Sequence, residues 1–415
     1  MIDWITDTLG TASYYSIESL GDNTDVVLID VREFTDKEGN ATDLIKKKIQ
    51  DILKLLQQGK RVVVCCDKGI SRSKAIALGA LIATGTPYEK ALDIISQKAG
   101  ASDINLGLLH DIRSLFSEQK VQNQKSPTNI LITGSTGFIG RALTRTLQSE
   151  CELFCPGRKE LPLAHDLPML DLYVNQNKIG SIVHLAHPNL RNNVSAMAES
   201  IAMMKNILEV CRLNGVDLLY LSSLVVFSGC RSHSVIEADS SLSPWPRGTY
   251  AETKFLCEEL IKLYQKSRQL NAIILRPAAV YGKGMNRSTF ISKFFELAIK
   301  GKTIHTHEYD NGLPLFDFLY LDDLVEAILL ALQRRPQITL NIGTGQATTT
   351  HTLAEEIVQT VNSSSSVETI QIHDYTSKVI VNPTESESHL GWRPKINLKT
   401  GLKEIFDYYK AQHDF

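Results

Sequence analysis

The sequence predicts two α/β domains in tandem, the second built on a doubly wound parallel sheet with a small C-terminal lobe. Three observations carry this. A polar, apolar-poor stretch with a proline near its end, EQKVQNQKSPT at 118–128, divides the chain. Beyond it, strand-like and helix-like segments alternate. Before it, a buried-type strand leads through a glycine-bearing loop into an apolar helix. The expected organisation is a domain over 1–117, a linker over 118–128 and a domain over 129–415, both domains of ordinary size.

Composition limits the classes of function. The 415 residues are 43% hydrophobic and 22% charged, with a formal net charge of −2. This is the balance of a globular protein, and it gives no reason to expect a nucleic-acid or membrane partner. The opening MIDWITDTLG lacks the basic-then-apolar pattern of a secretory signal. No stretch approaches the ~20 apolar residues that span a bilayer. Seven scattered cysteines fit reduced thiols better than a disulfide framework, so the cytoplasm is the expected compartment. The histidines show no ligand spacing, and no metal site is expected.

In the N-terminal part, Val26 to Val31 reads as a strand. Leu44, Ile45, Ile49, Ile52, Leu53 and Leu56 then recur at helical spacing. Lys46, Lys47 and Lys48 fall on this helix, where they read as a solvated face. Val62 to Cys65 is a buried-type strand, and Ser73 to Thr84 an apolar helix. The loop between them reads Cys66-Asp-Lys-Gly69-Ile-Ser-Arg72-Ser73. A loop of this length can wrap its backbone N–H groups around a tetrahedral dianion, helped by the positive end of the following helix. Arg72 would offer a bidentate fork to two phosphate oxygens. The same field would lower the pKa of the Cys66 thiol, and Ser73 could hydrogen-bond its sulfur.

Cys-x-x-Gly-x-Ser-Arg-Ser, from Cys66 to Ser73, resembles the signature of dual-specificity, cysteine-dependent protein phosphatases. The opening Trp4-Ile5-Thr6 with Leu9-Gly10 is similar to the start of those domains. The resemblance implies that Cys66 attacks phosphorus on a phosphorylated substrate. It also implies an aspartic general acid about thirty residues upstream; Asp36 is the candidate and Asp30 the fallback. Cys65 stands where that family commonly has histidine.

The second domain opens on a strand, NILIT at 129–133, followed by Gly134-Ser-Thr136-Gly137-Phe138-Ile139-Gly140. Gly134 permits a tight turn, Gly137 lets the backbone approach a pyrophosphate, and Gly140 allows the helix to pack on the strand. Further strands are expected at 152–154, 181–185, 218–223 and 272–277, and helices at Val194–Leu213 and Tyr250–Lys266. Arg158 lies eighteen residues after Gly140, where an acidic residue would hold the ribose diol of NAD. A basic side chain there favours the 2′-phosphate of NADP(H) over NAD(H). Tyr250 and Lys254 share one helix face. A lysine ammonium beside a phenol favours the phenolate, so Tyr250 can act as general acid or base. Ser223, at the end of the 218–223 strand, would hydrogen-bond the same substrate oxygen.

The glycine spacing and the Ser223, Tyr250, Lys254 set resemble extended short-chain dehydrogenases/reductases of the NAD(P)-dependent epimerase/dehydratase family, with a Rossmann-type fold. Further landmarks are Arg276-Pro277-x-x-Val280-Tyr281-Gly282, Phe318 to Asp323, Asn341-Ile-Gly-Thr-Gly345 and Leu390-Gly391-Trp392-x-Pro394. The resemblance implies that Asp166 contacts the adenine ring, that Leu185, Ala186 and His187 lie under the cofactor, and that Pro277 borders it. The second strand and its loop resemble the NADPH-dependent sugar-nucleotide reductases, so a nucleotide sugar is the implied small-molecule substrate. A homodimer through the 250–266 helix is also implied. Two positions depart from the pattern: Ser200 stands where an asparagine is expected, and Phe316 where an arginine is frequent.

The sequence therefore supports a bifunctional enzyme, a cysteine phosphatase fused to an NADP(H)-dependent oxidoreductase or epimerase. Two alternatives stand beside it: a phosphatase regulated by an NADP(H)-sensing domain, and a reductase carrying an inactive phosphate-binding module.

Overall fold

The computed structural model describes residues 2–18, 26–37, 39–100, 104–116, 129–188, 193–268, 270–286 and 288–411. The linker expected at 118–128 lies outside the described residues. Two compact units result, one of residues 1–126 with 161–178, the other of 127–160 with 179–415. The sequence reading places Leu161–Lys178 in the second domain; by packing it belongs to the first unit. There Arg113 forms an ion pair with Asp171 and lies 4.8 Å from the Tyr88 ring centre. That contact joins residues 58 positions apart, which no local pattern reveals.

The first unit starts with β1 (Asp3–Trp4), β2 (Leu9–Ser13), α1 (Tyr14–Glu18) and β3 (Val26–Asp30). It continues through α2 (Thr42–Gln57), β4 (Arg61–Cys66), α3 (Arg72–Ala83), α4 (Tyr88–Ala99) and α5 (Leu106–Phe116). Its sheet has the order β1-β2-β4-β3, with β4 parallel to both neighbours and β1 antiparallel at the edge. The register sets Cys66 beside Ser13 and Cys65 beside Asp30. Helix α2 buries Ile45, Ile49 and Ile52 while Lys46 and Lys47 stay in solvent, as an amphipathic surface helix should. Helix α3 is buried throughout Ser73–Leu81 and is apolar from Ala75 on, while buried Lys74 donates to Gly100 O at 2.8 Å. Gly79 brings α2 close: a Cβ there would lie 2.6 Å from Ile49 Cδ1.

The chain goes on through β5 (Asn129–Thr133), α6 (Phe138–Leu147), β6 (Leu153–Phe154), α7 (Leu167–Gln176, in the first unit), β7 (Ile179–His184) and α8 (Val194–Asn214). Next come β8 (Asp217–Leu221), β9 (Ile236–Ala238), α9 (Thr249–Arg268), β10 (Ala272–Pro277), β11 (Ala279–Tyr281) and α10 (Phe290–Ile299). After β12 (Ile304–Tyr309), β13 (Leu315–Tyr320), α11 (Leu321–Arg334), β14 (Thr339–Ile342), β15 (Ala347–Thr349) and α12 (Thr350–Val361), the chain ends with β16 (Val367–Ile372), β17 (Val379–Val381), α13 (Thr384–Leu390) and α14 (Leu398–Ala411).

Six parallel strands form the central sheet of the second unit, in the order β14-β10-β8-β7-β5-β6. Strands buried on both faces explain the near-continuous apolar runs at 129–133 and 272–277. The order reverses between β5 and β7, and the crevice at the carboxyl ends beside such a reversal is where open α/β sheets bind ligands. The main core joins Ile132, Leu143, Val183, Leu219, Leu275 and Trp392. A second core, in the C-terminal lobe, gathers Tyr281, Phe295, Tyr320, Leu353 and Ile405. No helix among the described residues is long and apolar enough to cross a membrane.

Candidate functional site

The β5–α6 turn is built by its glycines. Gly134 has φ +76°, and a Cβ on it would lie 2.7 Å from the Ala186 amide nitrogen. Only glycine fits, so the turn presses against the Leu185–Ala186 backbone that follows β7. Gly137 donates its N–H to Gly134 O at 3.0 Å and caps α6. A Cβ on Gly140 would strike the Gly134 carbonyl and the Ser135 backbone. The first-turn amides of α6, from Phe138, Ile139 and Gly140, have no intrahelical acceptor and make an anion-binding helix end. Thr136 O holds Arg141 at 2.7 Å. A cradle that any side chain would fill fits a pyrophosphate. Arg158 lies in the turn after β6, its side chain 60% exposed and 3.8 Å from Glu199. Asp166 caps α7 by accepting the Met169 N–H at 2.9 Å, and so belongs to the first unit.

Tyr250 and Lys254 lie one turn apart on α9. Lys254 is buried and donates to Leu221 O at 2.7 Å, which pins its ammonium below the end of β8. It sits 5.9 Å from the Tyr250 ring centre and 4.8 Å from that of Tyr220. The His187 ring meets Tyr250 edge-on at 5.0 Å, and its Nδ1 lies 2.8 Å from Pro188 O. His184, fully enclosed beside Thr133 Oγ1 at 2.7 Å, has its pKa pushed down to about 3 by burial and by the Lys254 charge. It is therefore a neutral neighbour of that ammonium. Ser223 is not strand-terminal, as the sequence suggests; β8 ends at Leu221, and Ser223 caps a one-turn 3-10 helix, Leu224–Phe227, accepting the Val225 N–H at 3.3 Å.

One member of this network escapes the sequence reading. Glu258, a further turn along α9 and fully buried, accepts Ser222 Oγ–H at 2.5 Å and two nitrogens of buried Arg276 at 2.5–3.1 Å. The residue beside Ser223, the helix carrying Tyr250 and Lys254, and strand β10 are thereby tied together. The four-residue spacing Tyr250, Lys254, Glu258 was a usable signal. Pro277, buried at the end of β10, follows Arg276 directly. Ser200 turns its hydroxyl onto its own helix, to Ala196 O at 2.8 Å. Phe316 stacks with Phe290 and Phe318, ring centres 5.6 and 5.7 Å apart, making an aromatic cluster where an arginine would have brought charge.

Other landmarks turn out to be structural. Buried Asp317 accepts the Thr344, Gly345 and Val381 amides at 2.8–3.1 Å, holding the Gly343–Gly345 loop. Asp323 accepts the Lys395 and Ile396 amides at 3.1 and 3.0 Å, while its carbonyl takes the Trp392 indole N–H at 3.0 Å. The 318–323 and 390–394 motifs are thus two halves of one contact.

In the first unit, Cys66 ends β4 and is 2% exposed. Gly69 donates its N–H to Cys66 Sγ at 3.2 Å, and Ser73 Oγ lies 3.4 Å from the sulfur. Burial alone would raise this thiol, but hydrogen bonds from Ser73 and Gly69 and the Arg72 charge outweigh it and hold the pKa below the ordinary value. Cys65, facing Ile29 O on the other side of the strand, is pushed up to about 11 by burial and by Asp30. Gly69 has φ +71°, and a Cβ there would lie 2.6 Å from Ser13 N. The structure brings Asp36 to Arg72, with Asp36 Oδ2 3.4 Å from Nε. Asp30 is instead clasped by Arg32 Nε and Nη2 at 2.7–3.1 Å, which keeps its carboxyl below the usual range.

A glycine cradle beside the reversal of a doubly wound sheet, with Tyr-x-x-x-Lys on a following helix, is the arrangement of a Rossmann-type dinucleotide-binding fold. Residues 130–343, just over half of the chain, match the NAD dependent epimerase/dehydratase family, and the chain belongs to that family. The match leaves the residues before 130 outside it. Human dTDP-D-glucose 4,6-dehydratase is 29% identical over 200 residues, a stretch covering 46% of this chain and 56% of that enzyme. GDP-L-fucose synthase 1 of Arabidopsis thaliana is 25% identical over 317 residues, covering 71% of this chain and 97% of the relative. The structure of Thermotoga maritima UDP-glucose 4-epimerase with UDP-glucose superposes with a TM-score of 0.62 at 23% identity, over 69% of this chain and all of that one.

Proposed function

We propose that the second unit is an NADP(H)-dependent oxidoreductase or epimerase acting on a nucleotide-linked sugar. The observation that carries this is the pinned Lys254 one turn from Tyr250, on a helix locked to the end of β8. Tyr250 exchanges a proton with a substrate hydroxyl or carbonyl oxygen, Lys254 stabilises the phenolate, and Ser223 hydrogen-bonds the same oxygen. When bound, the dinucleotide supplies or accepts hydride at the adjoining carbon. Gly134, Gly137 and the α6 amides would hold its pyrophosphate, Leu185, Ala186, His187 and Pro277 would border it, and Arg158 would meet the 2′-phosphate. The curated relatives named above act, by their names, on nucleotide sugars, which supports that substrate class.

The first unit is proposed as a phosphatase. Cys66 thiolate bonds to phosphorus as the ester P–O bond breaks, and Asp36 protonates the leaving oxygen. Water then cleaves the P–S bond, releasing phosphate and restoring the thiolate. The hold of Asp67 on Arg72, at 2.6 Å, favours one alternative, a binding module without turnover. The test is made on the full chain with NADPH, a nucleotide-linked 4-keto sugar and a small aryl phosphate. NADPH oxidation is expected to fail in Tyr250→Phe while NADPH still quenches; turnover that survives in this variant refutes the assignment. Aryl phosphate hydrolysis abolished by Cys66→Ser supports the phosphatase, and its absence in the wild type leaves the binding module.

A further inference from the structure

Arg72 is the group that a phosphate cradle must offer to its ligand, yet it is already engaged from within the chain. Nη2 donates to Asp67 Oδ2 at 2.6 Å, Nη1 donates to the carbonyls of Arg32 and Phe34 at 3.1 and 3.2 Å, and Nε faces Asp36 Oδ2 at 3.4 Å. The Arg72 side chain is 14% exposed, and the Asp67 and Asp36 side chains that meet it are 42% and 46% exposed. Asp36 has a role in the phosphatase reading; Asp67 has none. Asp67 directly follows Cys66, and its backbone is fixed, since Ser13 Oγ–H donates to Asp67 O at 2.6 Å. Its carboxylate therefore reaches Arg72 from inside the same loop.

We propose that Asp67 is a specificity-determining residue of this site, a carboxylate that competes with the ligand's phosphate for the Arg72 fork. The proposal rests on reading Cys66–Ser73 as a phosphate cradle. A dianion entering the loop must displace Asp67 from Arg72 and then remain beside a like charge. Each additional negative charge near the reacting phosphate increases that repulsion. The site accordingly selects phosphomonoesters whose remainder is neutral or cationic and disfavours polyanions, which an arginine facing no acid would attract.

The test uses the full chain and follows carbamidomethylation of Cys66 by iodoacetamide, read on its peptide by mass spectrometry. Inorganic phosphate and pyrophosphate are the protecting probes. In Asp67→Asn and Asp67→Ser, half-protection is expected at about tenfold less phosphate than in the wild type, the scale of one partly screened charge pair. In the wild type, pyrophosphate is expected to protect no better than phosphate. Equal half-protection in folded variants and wild type overturns the role of Asp67 while leaving the cradle intact. So does wild-type protection by pyrophosphate at tenfold lower concentration than phosphate, a comparison needing no variant. Should neither anion protect Cys66 in any of the three proteins, the cradle reading itself falls.

Discussion

Replacing Glu258 by glutamine tests the network beneath the Tyr250 helix. Glu258 is fully buried and Arg276 only 5% exposed, so neither is solvated. The carboxylate accepts three contacts from Arg276 at 2.5–3.1 Å and one from Ser222 at 2.5 Å. Glutamine keeps the shape but leaves a guanidinium in the core without a counter-charge. Breaking one side of a buried pair costs about 3–5 kcal/mol, a large share of a typical total of about 5–15 kcal/mol. Urea unfolding followed by fluorescence of Trp392, 1% exposed in this unit, reads the change. With a slope of about 2 kcal/mol per M, the midpoint falls by roughly 1.5–2.5 M. Replacing both partners, Glu258→Met with Arg276→Met, restores most of the loss, because the desolvated charges go together. A Glu258→Gln midpoint within about 0.3 M of wild type would refute the reasoning, since the pair would then be hydrated.

Gly134→Ala places a Cβ 2.7 Å from Ala186 N at φ +76°, and is expected to weaken NADPH binding by at least about tenfold, read by nicotinamide fluorescence; unchanged affinity would mean that the turn yields freely. Cys66 is expected to reach half-maximal alkylation below the pH of an ordinary thiol, because its lowered pKa leaves it a thiolate where free cysteine is protonated. Ser73→Ala removes one stabilising hydrogen bond and moves that midpoint upward, while Cys65, raised to about 11, stays unreactive at pH 8; a midpoint unmoved in Ser73→Ala would sink this account.

What could be read in the sequence is what short stretches encode. Gly134, Gly137 and Gly140 announce a turn that tolerates no Cβ, and five of the six strands of the central sheet fall close to the segments expected, whereas β14 (Thr339–Ile342) is not read as a strand. The reversal of strand order, and with it the place of the crevice, depends on pairing between segments far apart. Glu258 was legible only in part: its spacing from Lys254 is visible, whereas its partner Arg276 arrives from another strand. Asp323 reads only as part of a motif, and Asp317 is not singled out at all, until their amide partners, 27 to 73 positions away, come into view. The packing of Leu161–Lys178 with the first unit likewise involves a distant pair, Arg113 with Asp171. Ser223 shows the finer difficulty, since a two-residue shift separates the end of a strand from a helix cap.

The contact between Asp323 and the Trp392–Ile396 segment also bears on how the chain is synthesised. A carboxylate 3% exposed needs the amides of Lys395 and Ile396, and burial raises its pKa further without them. A ribosome delivers Asp323 some seventy residues before those amides. During that interval the Asp323 carboxylate at the start of α11 lacks both of those amide donors. This contact of the second unit is therefore completed only after the Trp392–Ile396 segment has been made, well after the glycine-rich turn at 134–140. A chain stopped before Trp392 would leave the Asp323 carboxylate without those amides, and burial would then favour its protonated form.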